Sequence, residues 1–203
     1  MSTIVIVDYG FGNLGSVSNM FRRVGVPAVI TSSIEAIASA GKIVLPGVGS
    51  FDAGMRGIED RGLREVLDRK ALQEKVPVLG ICLGAQLMTR GSEEGSSPGL
   101  GWIAAGVRRF QVQPHVKVPH MGWNLAKVCR ASALTAGTAE ESRYYFVHSY
   151  YIRVEDPAHS ILKTTYGIEF DSGIQRENIY GVQFHLEKSH KFGMQLLANF
   201  ARL

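Results

Sequence analysis

The stretch Val78-Leu79-Gly80-Ile81-Cys82-Leu83-Gly84-Ala85-Gln86-Leu87-Met88 constrains this chain most: a short apolar run ends at a cysteine between two glycines, and a helical pattern begins there. A strand that passes into a helix through so tight a turn needs small neighbours. It exposes the side chain at its apex and aims the first free amides of the helix at whatever lies beside it. A thiol at that apex gains twice: the helix N-terminus favours thiolate over thiol, and the same amides can receive an oxyanion during acyl transfer. Cys82 is therefore a candidate nucleophile. The plain alternative is a small buried hydrophobe, the usual role of a free cysteine beside apolar residues. With Gly 23 and Cys 2 in 203 residues, a Gly-x-Cys-x-Gly-x-Gln string arises by chance in roughly one such sequence in a thousand.

A cysteine nucleophile needs a base. Ile179-Tyr180-Gly181-Val182-Gln183-Phe184-His185-Leu186-Glu187-Lys188-Ser189 runs strand-like into His185, and Glu187 follows two positions on, so both side chains can emerge on one side of an extended or turning backbone. A carboxylate bonded to one ring nitrogen fixes the tautomer and frees the other nitrogen to take the thiol proton and pass it to a leaving amine. Taken alone, His-x-Glu is more often a surface histidine near an acid; its weight comes from Cys82.

The first half of the chain alternates strand and helix. Residues 3–8 read as a buried strand, Asn13 caps a helix to residue 24, 27–31 and 42–45 are strands around a short helix at 33–40, and a helix at 61–74 precedes the strand 76–81. This order predicts an α/β fold: a mostly parallel sheet flanked by helices, with active groups at the carboxyl ends of the strands. Segments 102–110, 125–129, 144–153 and 161–165 are strand-like and separated by turn-rich stretches such as 91–101, so antiparallel strands are expected to extend the parallel core. A closing helix is expected over 189–203, with Ser189 as its cap. No internal repeat or linker divides the sequence, which reads as one domain over residues 1–203.

Composition excludes several classes. A hydrophobic fraction of 45% suits a packed core, and no apolar run approaches membrane-spanning length, so a cytoplasmic protein is expected. Cys82 and Cys129 make no metal-type spacing, and no cofactor is implied; Cys129 reads as structural. The net charge of +4 is spread among interleaved acids, which argues for solvated helix faces and against nucleic acid.

With Cys82, His185 and Glu187 in that order, and Pro46-Gly47-Val48-Gly49-Ser50-Phe51 closing an earlier apolar strand, the chain resembles the class I, triad-type glutamine amidotransferases over nearly its whole length. Asp8-Tyr9-Gly10-Phe11-Gly12-Asn13, Pro119-His120-Met121-Gly122-Trp123-Asn124 and Tyr145-Phe146-Val147-His148-Ser149-Tyr150 narrow the resemblance to one branch of that family. That branch holds the glutaminase subunits of imidazole glycerol phosphate synthases, whose partner in histidine biosynthesis is a (β/α)8-barrel cyclase. The resemblance implies hydrolysis of glutamine through a γ-glutamyl thioester on Cys82, with the oxyanion held by amides at Leu83 and in the Gly47-Val48-Gly49 loop. It places Gln86 and Glu94 at the amino-acid end of glutamine and Tyr145, Ser149 and Tyr150 around its pocket. It also places Asn13, Met121, Trp123, Tyr145 and Lys188 near the interface through which ammonia reaches the partner. His148 reads as a packed histidine.

Each of these positions has an ordinary reading too: Gln86 as a helical residue, Glu94 as a loop acid, Tyr145 to Tyr150 as strand positions, Trp123 as a buried loop tryptophan. One residue departs from the family pattern, Leu186 standing where a proline is usual and would stiffen the turn. The departure keeps open a paralogue that supplies ammonia to another barrel enzyme, one that aminates a nucleotide-linked sugar for surface polysaccharide. A free-standing γ-glutamyl hydrolase and a non-catalytic scaffold are the remaining alternatives.

Overall fold

The computed structural model describes residues 3–112, 114 and 116–203. Strand β1 (Ile4–Val7) leads to helix α1 (Leu14–Arg23), which Asn13 caps by accepting the Ser16 amide at 3.4 Å and which buries Val17, Met20 and Phe21. Strand β2 (Ala28–Thr31), helix α2 (Ile34–Ala38) capped by Ser33, and strand β3 (Lys42–Gly47) follow in the expected order. Helix α3 (Phe51–Asp60) was not expected, because Gly54 and Gly57 weaken a helix by about 1 kcal/mol each relative to alanine. They are there for close approach. A Cβ on Gly54 would stand 3.1 Å from Leu87 Cδ1, and one on Gly57 would strike the Tyr9 carbonyl. The helix expected at 61–74 begins later, as α4 (Arg64–Asp68), and runs on into a π-helical turn at Arg69–Gln73. Strand β4 (Val78–Cys82) then passes without a loop into helix α5 (Leu83–Leu87).

The second half supplies β5 (Ala105–Arg109), β6 (His120–Leu125), β7 (Lys127–Val128), β8 (Arg143–His148), β9 (Tyr150–Val154), β10 (Ser160–Tyr166), β11 (Ile168–Arg176), β12 (Ile179–Val182) and the closing helix α6 (His190–Arg202). Two expectations are corrected here. The single strand read over 144–153 breaks at Ser149, and its halves join different sheets. Strands β6 and β11 went unread, the latter because Asp171-Ser172-Gly173 interrupts its apolar pattern.

Among the described residues one ten-stranded sheet has the order β2-β1-β3-β4-β12-β11-β10-β7, with β9 branching from β11 and β5 pairing β9. The pairs from β2 to β12 are parallel and those beyond β12 antiparallel. Strands β6 and β8 form a separate antiparallel ribbon. One face of the sheet buries Tyr9, Ile37, Phe51, Leu67 and Trp102, and the other buries Phe21, Phe146, Phe184, Leu196 and Phe200. Helices thus cover both faces, the arrangement that lets β1, β3, β4 and β12 be wholly buried. Because β12 lies directly beside β4, the chain beyond each strand's carboxyl end brings Cys82 and His185 into one place.

Candidate active site

Cys82 is the apex of the turn between β4 and α5. Its backbone has φ +53° and ψ −109°, a conformation that costs a non-glycine residue about 1–3 kcal/mol and persists only where the surroundings impose it. Those surroundings are the two glycines singled out in the sequence. A Cβ on Gly80 would lie 2.7 Å from the Ala85 backbone nitrogen, and one on Gly84 would drive into the Leu45 carbonyl of β3. Helix α5 therefore lies closer to the sheet than any residue with a side chain at those positions would allow.

His185 follows β12, with its amide bonded to the Tyr145 carbonyl at 2.9 Å. Its Nδ1 is 2.8 Å from Glu187 Oε1, and both side chains are 2% exposed. Its Nε2 is buried with no hydrogen-bond partner, free for a thiol proton. Burial disfavours a charged ring, but the negative charge of Cys82, contact with that sulfur, and Glu187 outweigh it and hold the imidazole well above its ordinary range. The missing proline does not disturb this contact: Leu186 is fully buried in the second core and opens a short 3-10 turn at Leu186–Lys188. Ser189, expected as the cap of α6, makes no cap bond; its hydroxyl donates to the His185 carbonyl and accepts the Tyr145 amide at 3.0 Å, clamping the histidine backbone.

Cys82 and His185 open onto a cavity of about 280 Å³ lined also by Val48, Gly49, Leu83, Gln86, Glu94, Pro119, Val147, His148, Ser149 and Tyr150. Gly47 pairs in register with Cys82. The buried Tyr9 hydroxyl donates to the Pro46 carbonyl at 2.7 Å, steadying the strand just before the Gly47-Val48-Gly49 loop. Burial pushes that phenol far above its usual pKa, so it remains a donor. Glu94 lines the cavity and also caps α3, its Oε2 accepting the Phe51 amide at 2.9 Å. Asp52 accepts the Ser96 and Ser97 amides at 3.1 and 3.0 Å and ties the loop that carries Glu94 to the same helix end.

The direction of the Gln86 amide follows from its partners. A carbonyl only accepts, so the Tyr150 oxygen at 3.1 Å must face Gln86 Nε2, which also donates to Gln183 Oε1 at 3.1 Å. Gln183 Nε2 is then directed at Cys82 Sγ, 3.8 Å away. Gln86 keeps its Oε1 as an acceptor on a side chain that lines the cavity. Gln183, fully buried beside the sulfur, was missed in the sequence; its position two residues before His185 on the incoming strand is the signal that could have found it.

Tyr145, expected in the pocket, is not among its lining residues. Its ring meets Trp123 edge-on at 6.1 Å, and Lys188 Nζ lies 5.4 Å from its centre. His190 stacks on Trp123 at 5.5 Å. Trp123 and Met121 are 46% and 61% exposed, so the loop-buried reading of the tryptophan is corrected: it stands on the outer face of β6. Asn13 is exposed at the start of α1.

Residues 5–203 match the family profile of glutamine amidotransferase class-I. The chain belongs to the class I glutamine amidotransferases. This amidotransferase is 50% identical over 199 residues to the imidazole glycerol phosphate synthase subunit HisH 2 of Methanococcus maripaludis, covering 98% of each chain. It is 48% identical to the subunit of the same name from Pseudomonas aeruginosa, over 98% of this chain and 99% of that one. Among solved structures, PurLQS from Thermotoga maritima superposes with a TM-score of 0.76 at 14% identity, over 100% of this chain and 99% of that one. The glutaminase domain of Trypanosoma brucei CTPS, solved with bound acivicin, does so at 0.68 and 16%, over 100% and 94%. These two share the amidotransferase's fold. No helix among the described residues is long and apolar enough to cross a membrane.

Proposed function

We propose that this amidotransferase is the glutaminase subunit of an imidazole glycerol phosphate synthase: a single cytoplasmic domain that hydrolyses glutamine on Cys82 and passes the ammonia to a (β/α)8-barrel cyclase in histidine biosynthesis. The observation that carries the chemistry is one shared cavity, in which a strained cysteine meets a histidine whose far nitrogen is tied to a buried carboxylate. The relatives' names support the assembly.

His185 Nε2 takes the proton of Cys82, and the sulfur attacks the side-chain carbonyl carbon of glutamine. The oxyanion that forms is held by the Leu83 amide and by amides of the Gly47-Val48-Gly49 loop, both of which border the cavity beside the sulfur. His185 then gives its proton to the amide nitrogen, the C–N bond breaks, and ammonia leaves with the acyl group on sulfur. Water, deprotonated by His185, attacks the thioester carbonyl; the C–S bond breaks and glutamate departs. Glu187 holds the ring and stabilises its charged form through both halves. Gln86 Oε1 and the second carboxylate oxygen of Glu94 are the acceptors that the α-ammonium of glutamine needs, and the Ser149-Tyr150 segment lines the pocket beside Gln86. Met121, Trp123, Tyr145, Lys188 and Asn13 form the partner face, an aromatic and methionine patch of the kind that anchors interfaces.

Glutamate release is the test, measured for the chain alone and mixed with the cyclase and its ribonucleotide substrate. Strong stimulation by the loaded cyclase is expected. Turnover that the cyclase does not change would move the partner to the sugar-aminating paralogue that Leu186 keeps in view, and no turnover in any mixture would overturn the glutaminase reading.

A further inference from the structure

Strand β6 presents different chemistry on its two sides. Met121 and Trp123 point outward, and by the two-residue period of a strand His120 and Asn124 point inward. His120 lies directly opposite His148 in the β6–β8 register, and the two rings are 1% and 7% exposed. Their nitrogens form a chain whose direction is forced from both ends. The Tyr150 carbonyl at 2.7 Å can only accept, so His148 Nδ1 carries the hydrogen. With that ring neutral, its Nε2 accepts from His120 Nδ1 at 3.0 Å. His120 Nε2 in turn accepts from Asn124 Nδ2 at 3.2 Å. Asn124 has no freedom to flip, since its Oδ1 takes the Leu125 amide at 2.8 Å and its Nδ2 also donates to the Thr165 carbonyl at 3.0 Å.

The chain does not stop at Tyr150. Its carbonyl is the same atom that orients Gln86 Nε2, and Gln86 orients Gln183 toward the cysteine sulfur. Burial keeps both rings uncharged, pushing His120 down to about 4 and His148 to about 3, which preserves one donor and one acceptor on each. An unbroken set of hydrogen bonds thus joins the strand bearing Met121 and Trp123 to Cys82.

We propose that His120 and His148 are positioning residues: they fix the Tyr150 carbonyl, and through it Gln86 and Gln183, from the strand that carries the partner-facing Met121 and Trp123, so that the position of β6 sets the glutamine pocket. The proposal rests on the glutaminase reading and says which part of the pocket a docked partner would adjust. The competing role is packing alone, since His120 stacks against Tyr166 and Phe146 at 3.9 and 4.6 Å.

Three variants separate the two. His120→Phe keeps the stacking and loses the bonds; His148→Phe also removes the donor to Tyr150; His148→Asn retains an N–H near the Nδ1 position. KM and kcat for glutamine are measured on the full chain with the cyclase, alongside urea stability and the ring-nitrogen NMR shifts of the parent. His148→Phe and His120→Phe are expected to raise KM by about tenfold and about fivefold, the effect of one hydrogen bond, with kcat changed less, while His148→Asn stays within about threefold of the parent. The parent's two rings are expected to show hydrogen on Nδ1. Unchanged KM in folded Phe variants of an active parent, even with lowered stability, or hydrogen on Nε2 in both rings, would overturn the relay alone. A parent that releases no glutamate would overturn the glutaminase reading and the positioning role with it.

Discussion

Replacing Gly84 by alanine adds one methyl group at the point where α5 lies against β3. The new Cβ would enter the Leu45 carbonyl and stand 2.7 Å from its carbon and 3.3 Å from Leu45 Cβ. Carbon atoms rest at about 3.5–4.0 Å from one another, and the carbonyl oxygen stands closer still to the new Cβ, so strand and helix must separate by at least about 1 Å. Neither neighbour is a flexible side chain that could swing aside. Overpacking of this kind costs about 1–3 kcal/mol, and a backbone clash belongs at the upper end. The displaced strand is the one that continues into Gly47-Val48-Gly49 and pairs Gly47 with Cys82, so the oxyanion donors move relative to the sulfur. A displacement near 1 Å at a reacting centre costs about a hundredfold in rate. His185 and Glu187 stand beyond β12 on the other side of β4 and stay in place. Gly84→Ala should therefore unfold at lower urea with an unchanged m-value and lose about a hundredfold in kcat. Alkylation of Cys82 by iodoacetamide, which needs thiolate but no oxyanion hole, should keep its parental rate within about threefold. A variant as stable as its parent, with kcat also unchanged, would refute this account of the elbow.

Glu187→Gln removes the charge that favours the imidazolium while keeping a hydrogen-bonding side chain; kcat/KM for glutamine should fall by about tenfold to a hundredfold, and an undiminished value would deny Glu187 its orienting role. The buried pair His120 and His148 makes stability depend on acid. Both rings bind a proton below pH 6.5 only when the chain unfolds, so stability falls as pH drops from there toward their folded values of about 4 and 3. The two together add up to about 2.7 kcal/mol per pH unit to that slope. Urea titrations between pH 6.5 and 4.5 should show a shallower slope in the double Phe variant; an equal slope would contradict the assignment of neutral rings. Trp123→Ala removes the outermost aromatic of β6 and should weaken cyclase binding by about thirtyfold or more in calorimetry while leaving the free chain's unfolding midpoint nearly unchanged. Parental affinity would place the partner elsewhere.

The elbow was legible because its demands are local: a cysteine apex needs Gly80 and Gly84 at fixed offsets, and sequence displays offsets directly. The alternation of strands and helices up to β3 was legible for the same reason, α1 and α2 each carrying its own cap and the strands their apolar runs. Helix α3 hid because its glycines serve contacts with Tyr9 and Leu87, residues far away in the chain. Ser149 divides one apolar stretch between two sheets, a choice made by the partners β6 and β11 and not by the stretch itself. His148 read correctly as a packed histidine, yet its partner His120 is 28 residues away and only the register of β6 on β8 joins them. The outward Met121 and Trp123 alternate with the inward His120 and Asn124, and that two-residue alternation was the signal that could have marked β6 as a strand. Tyr145 was placed in the pocket because its motif neighbours are there; its ring packs instead against Trp123, its partner across the β6–β8 pair, a contact that only the register of the two strands reveals.

The central claim is that glutamine is opened by Cys82, and the acylated enzyme tests it most directly. The chain, mixed with the loaded cyclase and excess glutamine and quenched in acid within the first turnovers, is digested and its peptides weighed. A γ-glutamyl adduct on the peptide holding Cys82, absent in Cys82→Ala and decaying as glutamate appears, is the result predicted. Glutamate release at the parental rate by Cys82→Ala, with no adduct on the parent, would contradict it.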